Sequence, residues 1–84
     1  MDKYHVYIVE CKDGSLYTGY ARDVASRIEK HNLGMGAKYT RNRRPVTLKY
    51  QEPFDTMSKA MKREIQIKKL TRPEKLKLIE GRTP

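Results

Sequence analysis

The sequence predicts a small α/β domain of the α+β type, with a three-stranded sheet and flanking helices in the order β-β-α-loop-β-α-α. Two short segments rich in β-branched and aromatic residues flank a turn sequence near the N-terminus, and a third begins at about residue 46. Helical periodicity occupies most of the remainder. Because a chain of 84 residues has room for one small hydrophobic core, we expect a single domain over residues 1–84 with its core at about 4–79.

The first two strands are expected to form a hairpin. Tyr4–Cys11 and Ser15–Tyr20 contain the residue types that favour strands, and Lys12-Asp13-Gly14 between them is a turn sequence. A two-residue turn would place Tyr7 and Tyr17 on opposite faces of the sheet. A three-residue loop with a left-handed glycine would place them on the same face, as a shared site requires.

The middle of the chain predicts one helix and an ordered loop. Asp23 is placed to cap a helix that runs to about Leu33, and Gly34 can end that helix by adopting positive φ. The loop from Met35 to Pro45 is expected to contain one short helical turn.

A strand and two helices are predicted for the rest of the chain. Apolar and polar residues alternate from Val46 to Gln51, which is the period of a strand with one solvent-exposed face. Met57–Leu70 has helical periodicity. Thr71-Arg72-Pro73-Glu74 matches a capping box and predicts the start of a last helix that ends near Gly81.

Composition restricts the classes of function. The net charge of +9 favours polyanionic partners, nucleic acid above all. A single cysteine, Cys11, excludes an internal disulfide and, with only two histidines, argues against a structural zinc site. The sequence shows neither a membrane span nor a signal peptide, so we expect a cytoplasmic protein without a membrane partner.

Two pairs of side chains are candidates for a site. Tyr7 and Tyr17 lie on consecutive predicted strands, where the alternative is two amphipathic core residues. Arg27 and His31 lie one turn apart, at one edge of the apolar stripe of the first helix. They are placed to project into a shared cleft, or to form a solvated basic edge.

Glu64 is the candidate site residue with the most specific sequence pattern. On a helical wheel from Met57 it falls near the centre of an apolar arc, whose other members are Ala60, Met61, Ile65 and Ile67. A carboxylate is costly to bury unless it meets a cation, a donor or a metal. The alternative partner is Lys68, four residues further along the helix.

A basic run with one aromatic residue precedes the third strand. Arginine and lysine neutralise phosphates, and a tyrosine can stack on a base. A basic surface loop is the alternative, but the position beside the first helix favours nucleic-acid binding. The candidate residues are Lys38, Tyr39, Arg41, Arg43 and Arg44.

Taken in order along the chain, these residues resemble the GIY-YIG nuclease family, and in particular its small stand-alone bacterial members. The resemblance covers roughly Tyr4 to Ile79. It rests on Val6-Tyr7-Ile8, Tyr17-Thr18-Gly19, Arg27, His31-Asn32, the run Ala37-Lys38-Tyr39-Thr40-Arg41, and Arg63-Glu64.

The resemblance implies hydrolysis of DNA phosphodiesters by an activated water, with one Mg²⁺ or Mn²⁺ ion held by Glu64. It implies that Arg27 neutralises charge on the phosphate. Tyr7 would orient or deprotonate the water, helped by His31 or by Tyr17, with its pKa lowered by the ion and by Arg27.

The sequence departs from the family pattern in its first motif, where His5-Val6-Tyr7 lacks the glycine, and at Tyr20, where some relatives have a lysine. It shows no second DNA-binding domain, so a partner protein is a candidate source of specificity, and branched or flapped DNA a candidate substrate. Two other functions compete with nuclease activity. One is a non-catalytic nucleic-acid-binding module, and the other is a basic protein that docks on an acidic protein surface.

Overall fold

The computed structural model describes residues 3–81, so the predicted domain limits at 1 and 84 lie outside the described range. The order of the elements confirms the predicted one. They are β1 (Tyr4–Glu10), β2 (Leu16–Ala21), α1 (Val24–Asn32), α2 (Lys38–Arg41), β3 (Thr47–Phe54), α3 (Met57–Lys68) and α4 (Arg72–Ile79). Among these residues no helix has the length and apolar character needed to cross a bilayer.

The hairpin has the three-residue loop that a shared site requires. The Cys11 N–H donates to the Ser15 carbonyl at 2.8 Å, and Gly14 has φ of +85° in the loop between them. In the resulting register Tyr7 pairs with Gly19 and Val9 pairs with Tyr17. The Tyr7 and Tyr17 side chains therefore leave the same face of the sheet, as predicted.

Exposed and half-buried residues alternate along the third strand as predicted, but its apolar side chains do not share one face. The strands are ordered β2-β1-β3 and all pair antiparallel. Ile8 pairs with Tyr50 and Val9 with Leu48, so Lys49 is an extra residue that forms a β-bulge. Because of the bulge, Leu48 and Tyr50 reach opposite faces, and each packs against a different half of the core.

Helices cover both faces of the sheet. On one face α1 packs on the sheet beside Tyr7 and Val9, and on the other face α3 and α4 pack on Val6 and Ile8. The C-terminal end of α1 is hydrogen-bonded to the residue that precedes β3, since the side-chain oxygen of Asn32 accepts from the Val46 N–H at 2.7 Å. Helix α1 is thus fixed to the same core as the tyrosine-bearing strands.

The predicted helix ends are confirmed at most positions. Asp23 caps α1 by accepting from the Ser26 N–H at 3.1 Å, and Gly34 follows the helix with φ of +81°. Thr71 and Glu74 form the predicted capping box of α4. Helix α3 ends at Lys68, two residues before the predicted end.

The apolar arc predicted for α3 is only partly buried. Ala60 and Ile67 are fully buried, but Met61 is 38% exposed and Ile65 is 51% exposed. A helix on a sheet buries a stripe roughly 100° wide, and Met61 lies about 100° round the helix from Ala60. The prediction of a core-facing arc is therefore wrong for Met61 and Ile65, and Glu64 lies at the margin of the buried stripe.

Candidate active site

Tyr7 and His31 form a buried hydrogen-bonded pair. Their exposed fractions are 2% and 1%, and the Tyr7 hydroxyl lies 2.8 Å from His31 Nε2. On the other side of the ring, His31 Nδ1 lies 2.8 Å from Thr40 Oγ1, and the Thr40 hydroxyl donates to the Ala37 carbonyl at 3.1 Å. A threonine hydroxyl has one proton, so Nδ1 must be the donor toward Thr40. The other ring nitrogen, Nε2, therefore carries no proton and accepts a hydrogen bond from the Tyr7 hydroxyl.

Two glycines allow these rings to lie where they do. A Cβ at Gly19 would come 2.6 Å from the Tyr7 hydroxyl oxygen, so the bare backbone of β2 lets the phenol cross it. A Cβ at Gly36 would come 2.5 Å from Cγ of His31, so the chain between α1 and α2 packs directly on the imidazole. Any larger residue at either position would displace the ring.

Burial sets the protonation of the pair. It raises the pKa of the Tyr7 hydroxyl above the ordinary value, the negative forms of Tyr17 and Glu64 raise it further, and Arg27 opposes the shift. Burial also lowers the pKa of His31, with the positive charge of Arg27 as the second cause. The Tyr7 pKa is therefore raised in this structure and not lowered as the resemblance implies, because burial outweighs Arg27. The pair is a neutral phenol that donates to a neutral imidazole.

A cleft of about 270 Å³ opens beside this pair. Because β2 is the edge strand of the sheet, side chains from both faces reach the cleft. Arg27 enters from α1 and Glu64 from α3. The lining residues are Tyr7, Tyr17, Gly19, Tyr20, Arg27, Gly36 and Glu64. The five residues predicted to be catalytic therefore converge, with His31 behind Tyr7 and the other four on the wall.

Glu64 has the alternative partner expected from the sequence, but it lies in the cleft wall and not at the centre of a buried apolar arc. Its side chain is 15% exposed in the cleft wall, and Lys68 Nζ lies 3.4 Å from its Oε2. Within residues 3–81, no group of three or more His, Cys, Asp and Glu side chains could hold a metal ion. Mg²⁺ commonly binds proteins through one or two carboxylates, with phosphates and waters as the other ligands. A single carboxylate among hydroxyls therefore fits an ion shared with a phosphate.

Tyr39, the aromatic residue of the basic run, packs between two other side chains of the protein. The Tyr39 ring stacks on Tyr17 with centroids 5.8 Å apart, and the Arg43 guanidinium lies 4.1 Å from the Tyr39 ring centroid. Arg43 also pairs with Asp13 at 3.1 Å and donates to the Tyr39 carbonyl at 2.7 Å. Tyr39 and Arg43 therefore hold α2 against the hairpin loop.

The remaining cations of the basic run divide into two kinds. Arg44 donates to the Arg41 carbonyl at 2.8 Å and to the Asn32 carbonyl at 3.3 Å, so its guanidinium is committed to the fold. The exposed side chains of Lys38 and Arg41 have no hydrogen-bond or ion-pair partner among residues 3–81. These two cations are available to an external anion.

Sequence reasoning gave no role to Thr40 or Gly36. Thr40 lies within the basic run, where one threonine carries no signal of its contact with an imidazole nine residues earlier. Gly36 does not adopt positive φ, so no turn requirement marks it. Only the packing of α2 on His31 reveals either residue.

The fold and these residues define the class. The family model of the GIY-YIG catalytic domain matches residues 3–77, and the chain belongs to the GIY-YIG family, which is a family of nucleases. Curated relatives are the UPF0213 protein SSP2268 of Staphylococcus saprophyticus, 67% identical over 94% of this chain and 96% of the relative, and a UPF0213 protein of Staphylococcus aureus, 63% identical over 98% and 100%.

Two solved structures are similar. The solution NMR structure of the UPF0213 protein BH0048 from Bacillus halodurans is 49% identical, with a TM-score of 0.59 over 92% of this chain and 82% of that chain. The solution NMR structure of the protein EF2693 from E. faecalis is 42% identical, with a TM-score of 0.63 over 96% and 90%. At these identities and coverages, the resemblance inferred from the sequence motifs is confirmed for the whole fold.

Proposed function

We propose that the protein is a DNA endonuclease that hydrolyses phosphodiester bonds with one Mg²⁺ or Mn²⁺ ion. The observation that carries the proposal is that the buried Tyr7–His31 hydrogen bond ends in the same cleft as Arg27 and Glu64. A proton acceptor, a cation and a carboxylate around one small cleft are the groups that phosphodiester hydrolysis requires. The membership of a nuclease family supports the same conclusion.

The proposed proton route runs from water through Tyr7 to His31. The Tyr7 hydroxyl passes its proton to His31 Nε2 as it accepts one from the attacking water. The water oxygen bonds to phosphorus, the bond to the 3′-oxygen breaks, and the leaving oxygen takes a proton from solvent. In the imidazolium that forms, the Nδ1–H continues to donate its hydrogen bond to Thr40 Oγ1. Between the two candidate helpers of Tyr7, the direct hydrogen bond favours His31 over Tyr17.

Arg27 and Tyr17 are proposed to act on the phosphate. The Arg27 guanidinium lies on the cleft wall, where it can neutralise the charge that develops on the phosphoryl oxygens. The Tyr17 ring packs edge-on against His31, with centroids 5.4 Å apart, and lines the cleft. Tyr17 is therefore the second tyrosine whose hydroxyl is proposed to contact the phosphate.

Glu64 is the residue that would hold the ion. When bound, a divalent ion supplies Lewis-acid polarisation of the phosphoryl group and stabilises the leaving oxygen. The carboxylate provides one hard oxygen ligand at the cleft wall, which suits Mg²⁺ and Mn²⁺.

DNA is the proposed substrate because the protein carries a net charge of +9. Lys38 and Arg41 are exposed and unpaired among the described residues, and they lie on the α2 helix whose Thr40 contacts His31. They are proposed to bind backbone phosphates of the DNA. Branched or flapped DNA and a role in DNA repair, in the cytoplasm, belong to the same proposal.

A cleavage assay tests this function directly. Nicked, flapped, branched and single-stranded DNA are each incubated with the protein and Mg²⁺, Mn²⁺ or EDTA. We expect cleavage of at least one substrate with either ion and none with EDTA, and Arg27→Ala should reduce cleavage far more than binding. Salt-sensitive binding without cleavage would instead indicate a nucleic-acid-binding module, and the absence of such binding would indicate docking on an acidic protein.

A further inference from the structure

We propose that Lys68 occupies the position of the divalent ion on Glu64 in the free protein, and transfers to a DNA phosphate when the ion binds. The inference rests on the proposed function, because it assumes that Glu64 holds the ion. It makes Lys68 a positioning residue that couples ion binding to DNA binding.

Lys68 forms an ion pair with the carboxylate that lies in the cleft wall. Lys68 Nζ lies 3.4 Å from Oε2 of Glu64, one helical turn away along α3. The Glu64 side chain is 15% exposed, whereas that of Lys68 is 50% exposed. Arg27 lines the same cleft, but Lys68 makes the only ion pair with Glu64 within residues 3–81.

A divalent ion and an ammonium group compete for this carboxylate. Both need its oxygens, and two cations a few ångströms apart repel each other. Pairs of this type, one helical turn apart, are weak and change an equilibrium constant only about twofold, so the ion can displace Lys68. The flexible four-carbon stem then lets the ammonium reach a phosphate beside the cleft.

The same competition couples the ion to DNA. Without DNA, Glu64 would offer an ion one carboxylate and the ion would have to displace Lys68. With DNA bound, phosphate oxygens would supply further hard ligands and would also accept the released ammonium. The coupling is reciprocal, so each ligand tightens the binding of the other by the same factor. An ion would therefore bind weakly until its substrate is present.

The test is a Mg²⁺ titration without DNA, followed by amide chemical shifts at constant ionic strength. Lys68→Gln removes the competitor, and Lys69→Gln is the matched control, because Lys69 is the exposed neighbour with the same charge. We expect Lys68→Gln to tighten Mg²⁺ binding about twofold more than Lys69→Gln does. Equal affinities in the two variants would overturn the inference.

Glu64→Gln separates this inference from the proposed function. Loss of saturable Mg²⁺ shifts at the cleft in Glu64→Gln confirms the ion ligand, whatever Lys68 does. Retention of those shifts would overturn the metal assignment on which both proposals depend.

A second arm measures the coupling itself. The affinity for a non-cleavable phosphorothioate duplex is compared with and without Mg²⁺ by fluorescence anisotropy. We expect the Mg²⁺-dependent gain to fall about twofold in Lys68→Gln and to stay unchanged in Lys69→Gln, because the pair that the ion breaks is absent only in the first. An unchanged gain in Lys68→Gln would mean that Lys68 does not leave Glu64.

Discussion

The Tyr7 hydroxyl and His31 Nε2 are joined by a 2.8 Å hydrogen bond that solvent scarcely reaches, and only the outer side of the phenol faces the cleft. His31 lies behind the phenol, so a water molecule in the cleft cannot reach the imidazole directly. In the proposed mechanism the phenol is therefore a relay, and His31 is the final acceptor. Thr40 keeps the imidazole in the tautomer that the relay requires.

Tyr7→Phe should remove the relay without removing the ring. We expect cleavage to fall by about 10²- to 10⁴-fold while DNA binding is retained. The variant leaves His31 Nε2 buried without a partner, so it should also lose about 1–3 kcal/mol of stability. Kinetics are measured well below the melting temperature. Tyr50→Phe is the control, because it removes a hydroxyl that donates to Glu52 on the opposite face of the sheet. Equal activity losses in the two variants would contradict the relay.

Gly19→Ala should displace the Tyr7 hydroxyl from His31. The added Cβ would lie 2.6 Å from the hydroxyl oxygen, so the ring or β2 must shift. We expect at least a tenfold loss of cleavage and a cost of about 1–3 kcal/mol in stability. Gly81→Ala is the matched control: φ of +83° makes it costly in stability as well, but nothing lies within 4 Å of its Cβ. Cleavage per folded molecule should fall only in Gly19→Ala, and a normal rate in that variant would argue against a requirement for the observed Tyr7 position.

The hairpin shows what local sequence rules can predict. Lys12-Asp13-Gly14 determines the loop length, the loop determines the register, and the register brings Tyr7 and Tyr17 to one face. The helix caps at Asp23 and Thr71 follow from equally local chemistry. Each of these features depends on residues that are close together in the sequence.

Features that depend on packing could not be predicted. The bulge at Lys49 sends Leu48 and Tyr50 to opposite faces, although their spacing alone places them on one face. The exposure of Met61 and Ile65 depends on where α3 lies on the sheet. These are relationships between elements, which hydrophobic periodicity within one element does not encode.

Arg41 should contribute to DNA binding, whereas Arg43 should contribute to the thermal stability of the fold. The Arg41 side chain has no partner among the described residues, so Arg41→Ala should weaken binding to all DNA sequences alike and reduce the slope of log affinity against log salt by about 1. Its melting temperature should be unchanged. Arg43→Ala breaks the contacts with Asp13 and the Tyr39 carbonyl and should lower the melting temperature. Salt titrations and thermal melts of both variants check this, and the reverse pattern would contradict the assignment.

The stability of the fold should depend on pH through His31. Burial lowers the pKa of His31 in the folded state, so below the unfolded pKa of about 6.5 the unfolded chain binds more protons. Stability should therefore be fully present above that pH and decline as the pH falls toward the lower folded pKa. Thermal melts between about pH 5.5 and 7.5 measure the decline, above the range in which carboxylates titrate.

His31→Gln removes this titration and should flatten the decline, although it also lowers stability at every pH by disturbing Tyr7 and Thr40. His5 is present in both proteins, so its contribution cancels in the comparison. Parallel pH curves would show that His31 does not titrate differently in the folded and unfolded states.

Glu64→Gln should separate the chemistry of the cleft from the stability of α3. The substitution keeps the shape of the side chain, removes its charge and breaks the ion pair with Lys68. A pair of this kind between residues one turn apart is worth about 0.3–0.5 kcal/mol, and removing a carboxylate from the margin of a buried stripe offsets part of that loss. We therefore expect a nearly unchanged melting temperature, complete loss of metal-dependent cleavage, and retained DNA binding because repulsion between the carboxylate and phosphate is gone.

Lys68→Gln is the matched variant, because it breaks the same ion pair but keeps the carboxylate. At saturating Mn²⁺ it should still cleave DNA, with a melting temperature close to that of Glu64→Gln. A purely structural role for the pair predicts the same modest loss of stability and intact cleavage in both variants. Thermal melts and one cleavage assay with Mn²⁺ distinguish the two roles, and a Glu64→Gln protein that still cuts DNA would remove Glu64 from the mechanism.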